Sequence, residues 1–237
     1  HFSREELIKI FSIAIGQNTK ILGISNSFNR ADIINHLNIC AVLDFVKEIN
    51  PSIKLVLGGA YASEMQGHNI DAFIIGLGDY AILEYLKFIQ GKSPFFKYSI
   101  NLTGQMIIDG TQHNTQFDFA NSQTKYHETD FIRQEEFLTL ETARGCVFNC
   151  KFCSYPFRGK KKNDYIRNES TMKEELLRNY YENGITKYIV VDDTFNDNII
   201  KLRQWANISQ SLPFKLEYAC FLRIDLLQRF PEQYEYL

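Results

Sequence analysis

No apolar run in this chain approaches the roughly 18 residues that a bilayer-spanning helix needs, and no basic-then-apolar segment opens it. Neither a membrane span nor a secretory leader is expected, and the cytoplasm is the expected location. An excess of charge of one sign is missing too. Lys and Arg number 26 against 28 Asp and Glu, a formal net charge of -2 at pH 7, so neither a globally basic nucleic-acid surface nor an acidic solvating tail is present. Cysteine is scarce, 5 in 237 residues, odd in number and clustered. That pattern argues against a disulfide framework and for a reducing compartment and a metal site. Cys40 and Cys220 read as ordinary buried thiols.

What is present is enough for real cores: 45% hydrophobic and 14% aromatic residues, in a length that suits one large or two ordinary domains. The chain begins at His1 without an initiator methionine and ends at Leu237 inside what reads as a starting helix, as expected of a fragment truncated at both ends. Its most informative stretch runs from Arg144 to Cys153. Cys146, Cys150 and Cys153 are spaced C-x3-C-x2-C, with Gly145 before the first and Phe152 before the last. Thiolates ligate iron–sulfur clusters and zinc, and a closed zinc site wants four ligands where the local supply is three. Three thiolates can hold three irons of a cubane and leave the fourth open to a chelating small molecule. The alternative is a structural zinc or closed cluster, completed by a distant residue such as His127 or Cys220. Gly145 gives the loop the φ freedom and close approach that wrapping a cluster requires. Phe152 reads as a shield, a stacking surface or plain packing.

Around that loop the periodicity alternates between strand and helix. An amphipathic helix is expected over residues 3–15, stopped by Gly16, then strands at 20–25, 54–57 and 72–75 with helices at 31–48 and 80–90. Such βαβ units predict a parallel α/β sheet, whose ligands sit beyond the strand carboxyl ends. Ser25, Gly58, Gly59, Gly76 and Gly78 are the candidates there, the alternative being that these glycines only make tight turns. The texture loosens after residue 92, so the expected division is a first domain over 1–95, a connector over 96–136 with a hairpin around Asp109-Gly110, and a second domain over 137–237. In that second domain a strand at 137–142 enters the cysteine loop. Thr171 and Glu174 form an expected capping box for a helix ending at Gly184, and strands follow at 187–192 and 216–222. Their carboxyl ends carry Asp192, Asp193, Thr194, Arg223 and Asp225, expected on the face where the cysteine loop sits. The run Arg158, Lys160, Lys161, Lys162 reads as a solvated loop in preference to a phosphate site. Gly76-x-Gly78-x-x-Ala81 lacks the downstream acidic residue of a dinucleotide fold.

The stretch Arg144-Gly145-Cys146-x-x-x-Cys150-x-Phe152-Cys153 following a strand resembles the cluster loop of radical S-adenosylmethionine enzymes. The resemblance implies a [4Fe-4S] cluster on Cys146, Cys150 and Cys153, with S-adenosylmethionine chelating the open iron and cleaved by one electron to a 5′-deoxyadenosyl radical. It puts Phe152, Asp193, Thr194 and Arg223 at that cofactor, with Asp192-Asp193-Thr194 standing where the family often has Gly-Gly-Glu. It also implies a small-molecule substrate and an electron donor such as flavodoxin or ferredoxin. No side chain is singled out as acting on the substrate.

The first half, through Lys54-Leu55-Val56-Leu57-Gly58-Gly59 and the stretch from Asp71 to Asp79, is similar to the cobalamin-binding domain of one subclass. Ser25, Gly58, Gly59, Gly76 and Gly78 would then contact cobalamin. Leu77 and Asp79 depart from the usual Gly-Glu-Gly-Glu, and D-x-H-x-x-G is absent, since neither His36 nor His68 fits it. The implied architecture is an incomplete Rossmann-like domain followed by a partial β/α barrel. The implied reaction is cobalamin-dependent methyl transfer or radical modification of a small organic molecule. The competing expectation is a non-catalytic structural iron–sulfur or zinc-binding module.

Overall fold

The computed structural model describes residues 3–16, 18–25, 33–59, 62, 69–94, 96–113, 117–130, 132–153 and 157–237. The polar turn expected after Ser25, most of the segment before Asn69 and the side chain of Cys40 lie outside the described residues. The chain is mixed α/β and divides into two compact units, His1–Phe117 and Asp118–Leu237.

In the first unit, α1 (Arg4–Ala14) opens on a capping box: Glu6 N donates to Ser3 Oγ (3.2 Å) and Ser3 N to Glu6 Oε2 (2.7 Å). There follow β1 (Ile21–Ser25), α2 (Ile33–Ile49), β2 (Lys54–Gly58), β3 (Ala72–Ile75), α3 (Asp79–Ile89), β4 (Ser99–Ile100), β5 (Met106–Asp109) and the short α4 (Gly110–His113). The sheet order is β1-β2-β3-β5-β4, parallel except for the β4–β5 pair. A parallel strand covered on both faces needs a continuous apolar run, and β2 supplies one in Leu55-Val56-Leu57, all buried. Leu55, Leu57 and Phe73 pack with Leu43 and Val46 of α2, while Val56, Ala72, Ile74 and Ile108 pack with Ala81 and Tyr85 of α3.

The hairpin expected at Asp109-Gly110 lies one turn earlier. It joins β4 to β5 through a turn in which Asn101 Oδ1 accepts from Thr103 N (3.1 Å) and Gln105 N (2.8 Å). Gly110 instead starts α4 and passes the backbone of Leu77 so closely that a Cβ would stand 1.8 Å from its carbonyl oxygen. The expected connector is thereby divided: residues 99–109 complete the first sheet, and 118–130 pack on the second unit, where Arg167 donates to Ser122 O (2.6 Å).

The second unit carries β6 (Leu138–Leu140), α5 (Glu169–Asn183), β7 (Lys187–Val190), α6 (Ile199–Ser211), β8 (Glu217–Ala219) and α7 (Ile224–Arg229), with 3-10 turns between them. Its three strands are parallel in the order β6-β7-β8. Leu140, Tyr188 and Val190 pack against Met172 and Leu176 of α5 and against Leu202, Trp205 and Ile208 of α6. The expected Thr171–Glu174 capping box does not form. The helix starts at Glu169 behind Asn168, Thr171 Oγ1 stands 3.4 Å from Asn121 Oδ1, and Glu174 Oε2 accepts from Gln123 Nε2 (3.0 Å). Tertiary partners have taken both side chains from the backbone. Among the described residues, no helix is long and apolar enough to cross a membrane.

Candidate functional site

At the carboxyl end of β6 the chain turns sharply into the cysteine loop, and each end of that turn is held by a carboxylate from beyond β7. Asp192 Oδ1 accepts from Thr142 N (2.8 Å) and Ala143 N (3.1 Å), and its Oδ2 from Thr142 Oγ1 (2.5 Å). Five residues on, Asp197 Oδ2 accepts from Val147 N (3.1 Å), immediately after Cys146, and from Tyr165 Oη (3.0 Å). Both carboxylates pair with one ammonium group. Lys201 Nζ lies 3.1 Å from Asp192 Oδ2 and 2.8 Å from Asp197 Oδ1, with all three side chains 0% exposed, and it donates to Thr194 O (2.8 Å). A buried charge without partners is strongly disfavoured, so this triad fixes where the loop starts.

The return segment of the loop closes the cradle. Cys146 N donates to Phe157 O (3.2 Å), Gly159 N to Phe148 O (2.8 Å) and Lys160 N to Cys146 O (3.0 Å). Gly145 sits at φ 136°, and a Cβ there would stand 2.7 Å from Phe157 O. Only glycine permits both the backbone angle and this approach.

The cradle opens on a cavity of about 400 Å³, within the usual size of small-molecule sites. Its walls include all three cysteines, Phe152, Asp193, Thr194 and Arg223, so every residue expected at the cluster and at S-adenosylmethionine meets here. Cys146 is buried, with Sγ 3.6 Å from Thr194 Oγ1, and burial pushes its thiol up despite the Phe148 N–H and Thr194 hydroxyl nearby. Phe152 is 91% exposed and projects free of the core. Asp193 is pushed up to about 6, first by desolvation and then by the neighbouring Asp192, with Lys201 pulling the other way. It is therefore mostly ionised at neutral pH.

Arg223 enters from the end of β8. Its guanidinium carbon lies 4.0 Å from the Phe148 ring centroid and its Nη1 4.0 Å from Cys150 Sγ, while Nε and Nη2 pair with Asp225 (3.0 and 2.7 Å). Buried Asn196 clamps the Arg223 backbone on both sides, accepting from its N–H (2.8 Å) and donating to its carbonyl (3.0 Å). One segment, 192–198, thus holds the loop, lines the cavity and positions the arginine. Sequence reasoning found Asp193 and Thr194 there but missed Asn196, Asp197 and Lys201. The Asp197–Lys201 spacing of four was a helix-face signal, although such pairs are ordinarily solvent-exposed. Asp192, expected on the cavity face, points into the protein instead. Arg158, read as part of a solvated loop, lines the cavity and donates to Cys150 O (3.2 Å).

The five candidates of the first unit also meet. Ser25, Gly58, Gly59, Gly76 and Gly78 line a cavity of about 470 Å³ beyond the carboxyl ends of β1, β2 and β3, together with Gly23 and Ile82, which sequence reasoning missed. Gly76 takes φ 82° and needs glycine for its conformation. Gly58 and Gly78 do not, and a Cβ at either would come no closer than 3.8 Å to any neighbour, while one at Gly23 would meet nothing within 4 Å. The fold's own packing makes no demand for glycine at these three positions. Their bare backbone keeps the cavity open.

In comparison with known proteins, no family model matches the chain, and no curated protein matches it in sequence.

Proposed function

We propose that this chain is a radical S-adenosylmethionine enzyme, built from an N-terminal cobalamin-binding-like domain and part of a β/α barrel. Cys146, Cys150 and Cys153 would hold a [4Fe-4S] cluster. The observation that carries the reading is the convergence of those thiols with Phe152, Asp193, Thr194 and Arg223 on one cavity, from three different strand ends. The donor set suits a cubane better than zinc. Three thiolates can each serve one iron of a cubane and leave the fourth open, whereas a structural zinc ion requires four ligands about one point.

When bound, the cluster supplies the electron for reductive cleavage of S-adenosylmethionine. This chain's residues bind and orient that cofactor. Arg223 offers a cation to its carboxylate, Asp193 an ionised acceptor to its ammonium, and Phe152 an exposed ring face to its adenine. In the first unit, the glycine-walled cavity would admit one arm of a corrinoid, whose bound cobalt supplies a transferable methyl group. The reaction class is then methyl transfer to, or radical modification of, a small organic substrate.

Anaerobic reconstitution with iron and sulfide should give cubane absorption and 5′-deoxyadenosine under reducing conditions, and Cys150→Ala should abolish both. Zinc without cubane absorption, or undiminished 5′-deoxyadenosine from Cys150→Ala, refutes the assignment. Retention of the corrin chromophore by the purified protein tests the cobalamin part separately.

A further inference from the structure

Gln233 is buried and is not a wall of the thiol-lined cavity, yet it stands one amide away from Arg223. It lies in the 3-10 turn Pro231–Tyr236, which follows α7. Its Oε1 accepts from Asn196 Nδ2 (3.0 Å) and its Nε2 donates to Asn196 O (3.2 Å). Asn196, 0% exposed, in turn accepts from Arg223 N (2.8 Å) at Oδ1 and donates to Arg223 O (3.0 Å) from Nδ2. β8 ends at Ala219, so no strand ladder reaches Arg223, and this side-chain amide stands in for one.

A carboxamide can present its oxygen and its nitrogen in two orientations of nearly equal shape. For Asn196 only one of them is productive. Turned over, it would set its NH2 against the Arg223 N–H and its oxygen against the Arg223 carbonyl. The Gln233 oxygen selects the productive orientation, because it accepts from Nδ2 and would face an oxygen after the turn. Gln233 is itself held the right way round by the Asn196 carbonyl, which can only accept. A buried polar group left without its partner is costly, so the two amides lock each other. Through them they lock the backbone from which the Arg223 guanidinium extends to Phe148 and Cys150.

We propose that Gln233 is a positioning residue for Arg223: through Asn196 it fixes where the guanidinium meets the carboxylate of S-adenosylmethionine. The role of that carboxylate rests on the function proposed above. Gln233 touches neither the cavity nor the thiols, so its effect on the cofactor must pass through Arg223.

The test uses the full chain and two readouts. Amide hydrogen exchange reads the clamp without cluster or cofactor, and the kinetics of 5′-deoxyadenosine formation by the reconstituted chain read its consequence. In Gln233→Met, of similar bulk, the Arg223 amide should lose about fivefold of its protection, the weight of one net hydrogen bond. The KM for S-adenosylmethionine should rise by a similar factor, about fivefold, with kcat within about twofold. Gln233→Asn draws the same amide back by one methylene and should give the same shifts should the methionine variant not fold. In an Arg223→Met background, Gln233→Met should leave KM within about twofold, because the group it positions is already gone. Unchanged Arg223 exchange, a loss confined to kcat, or the same KM rise in both backgrounds overturns the proposal. A chain that shows the exchange pattern yet forms no 5′-deoxyadenosine refutes the enzyme reading and leaves the clamp of Gln233, Asn196 and Arg223 standing.

Discussion

Replacing Lys201 by methionine removes one charge and leaves two. In the native unit the ammonium group lies 3.1 Å from Asp192 and 2.8 Å from Asp197, and all three side chains are 0% exposed. Methionine fills a similar volume, so lost packing is minor. What remains is a pair of buried carboxylates with no counter-charge. Deleting one partner of a buried ion pair costs about 3–5 kcal/mol, which for a unit of this size lowers the melting temperature by on the order of 12–20 °C. The damage should be local as well as global, because Asp197 holds Val147 N and Asp192 holds Thr142 N and Ala143 N. Iron incorporated per chain should fall with stability. Thermal unfolding by circular dichroism, with iron analysis after reconstitution, measures both effects. Adding Asp197→Asn to the methionine variant removes one uncompensated charge while keeping an acceptor for Val147. The double variant should recover about 1–2 kcal/mol over the single, a strong non-additivity. A methionine variant within about 1 kcal/mol of wild type, or a strictly additive double variant, would refute the claim that this triad anchors the loop.

Two further predictions concern the cradle and the first sheet. Gly145→Ala forces a Cβ to within 2.7 Å of Phe157 O at φ 136° and should cost about 1–3 kcal/mol, read in urea titrations, with reduced cluster assembly. In the first unit, Asp71 accepts from Lys47 (2.7 Å), Lys54 (2.9 Å) and Leu55 N (2.8 Å). Burial raises its carboxyl, but these three partners outweigh it and hold the group below its usual value of 3.8. A depressed folded-state value stabilises the fold above the unfolded value, and the contribution is lost as pH falls through the folded one. Acid should therefore weaken protection of the Leu55 amide in hydrogen exchange. Asp71→Asn should lower that protection at neutral pH and flatten its decline below about pH 4. An Asp71→Asn profile that parallels wild type throughout would remove the ion cluster as the cause.

Much of the architecture was legible without coordinates because its causes are local. Leu55-Val56-Leu57 is apolar on both faces, as only a covered parallel strand needs to be, and the helical spacing of apolar residues over 3–15, stopped by Gly16, announces α1. The spacing of Cys146, Cys150 and Cys153 likewise puts three thiols on one loop, and all three line one cavity. Misreadings occurred where a local signal had a tertiary competitor. Thr171 and Glu174 carry a capping pattern but are engaged by Asn121 and Gln123. Asp109-Gly110 looks like a turn, yet its glycine is required by the passing backbone of Leu77.

The site itself divides in the same way. The identity, count and spacing of the three thiols belong to the sequence, since the reach of an eight-residue loop does not depend on the rest of the chain. Which carboxylates face the cavity does depend on it: adjacent Asp192 and Asp193 differ only in that one meets Lys201 inside the protein and the other does not. Arg223 reaches Cys150 across 73 residues because Asn196 clamps its backbone. Arg158 reaches the cavity because return-segment hydrogen bonds bring it there. Those outcomes are set by long-range pairing of buried polar groups, whose energy exists only once the partners have been brought together.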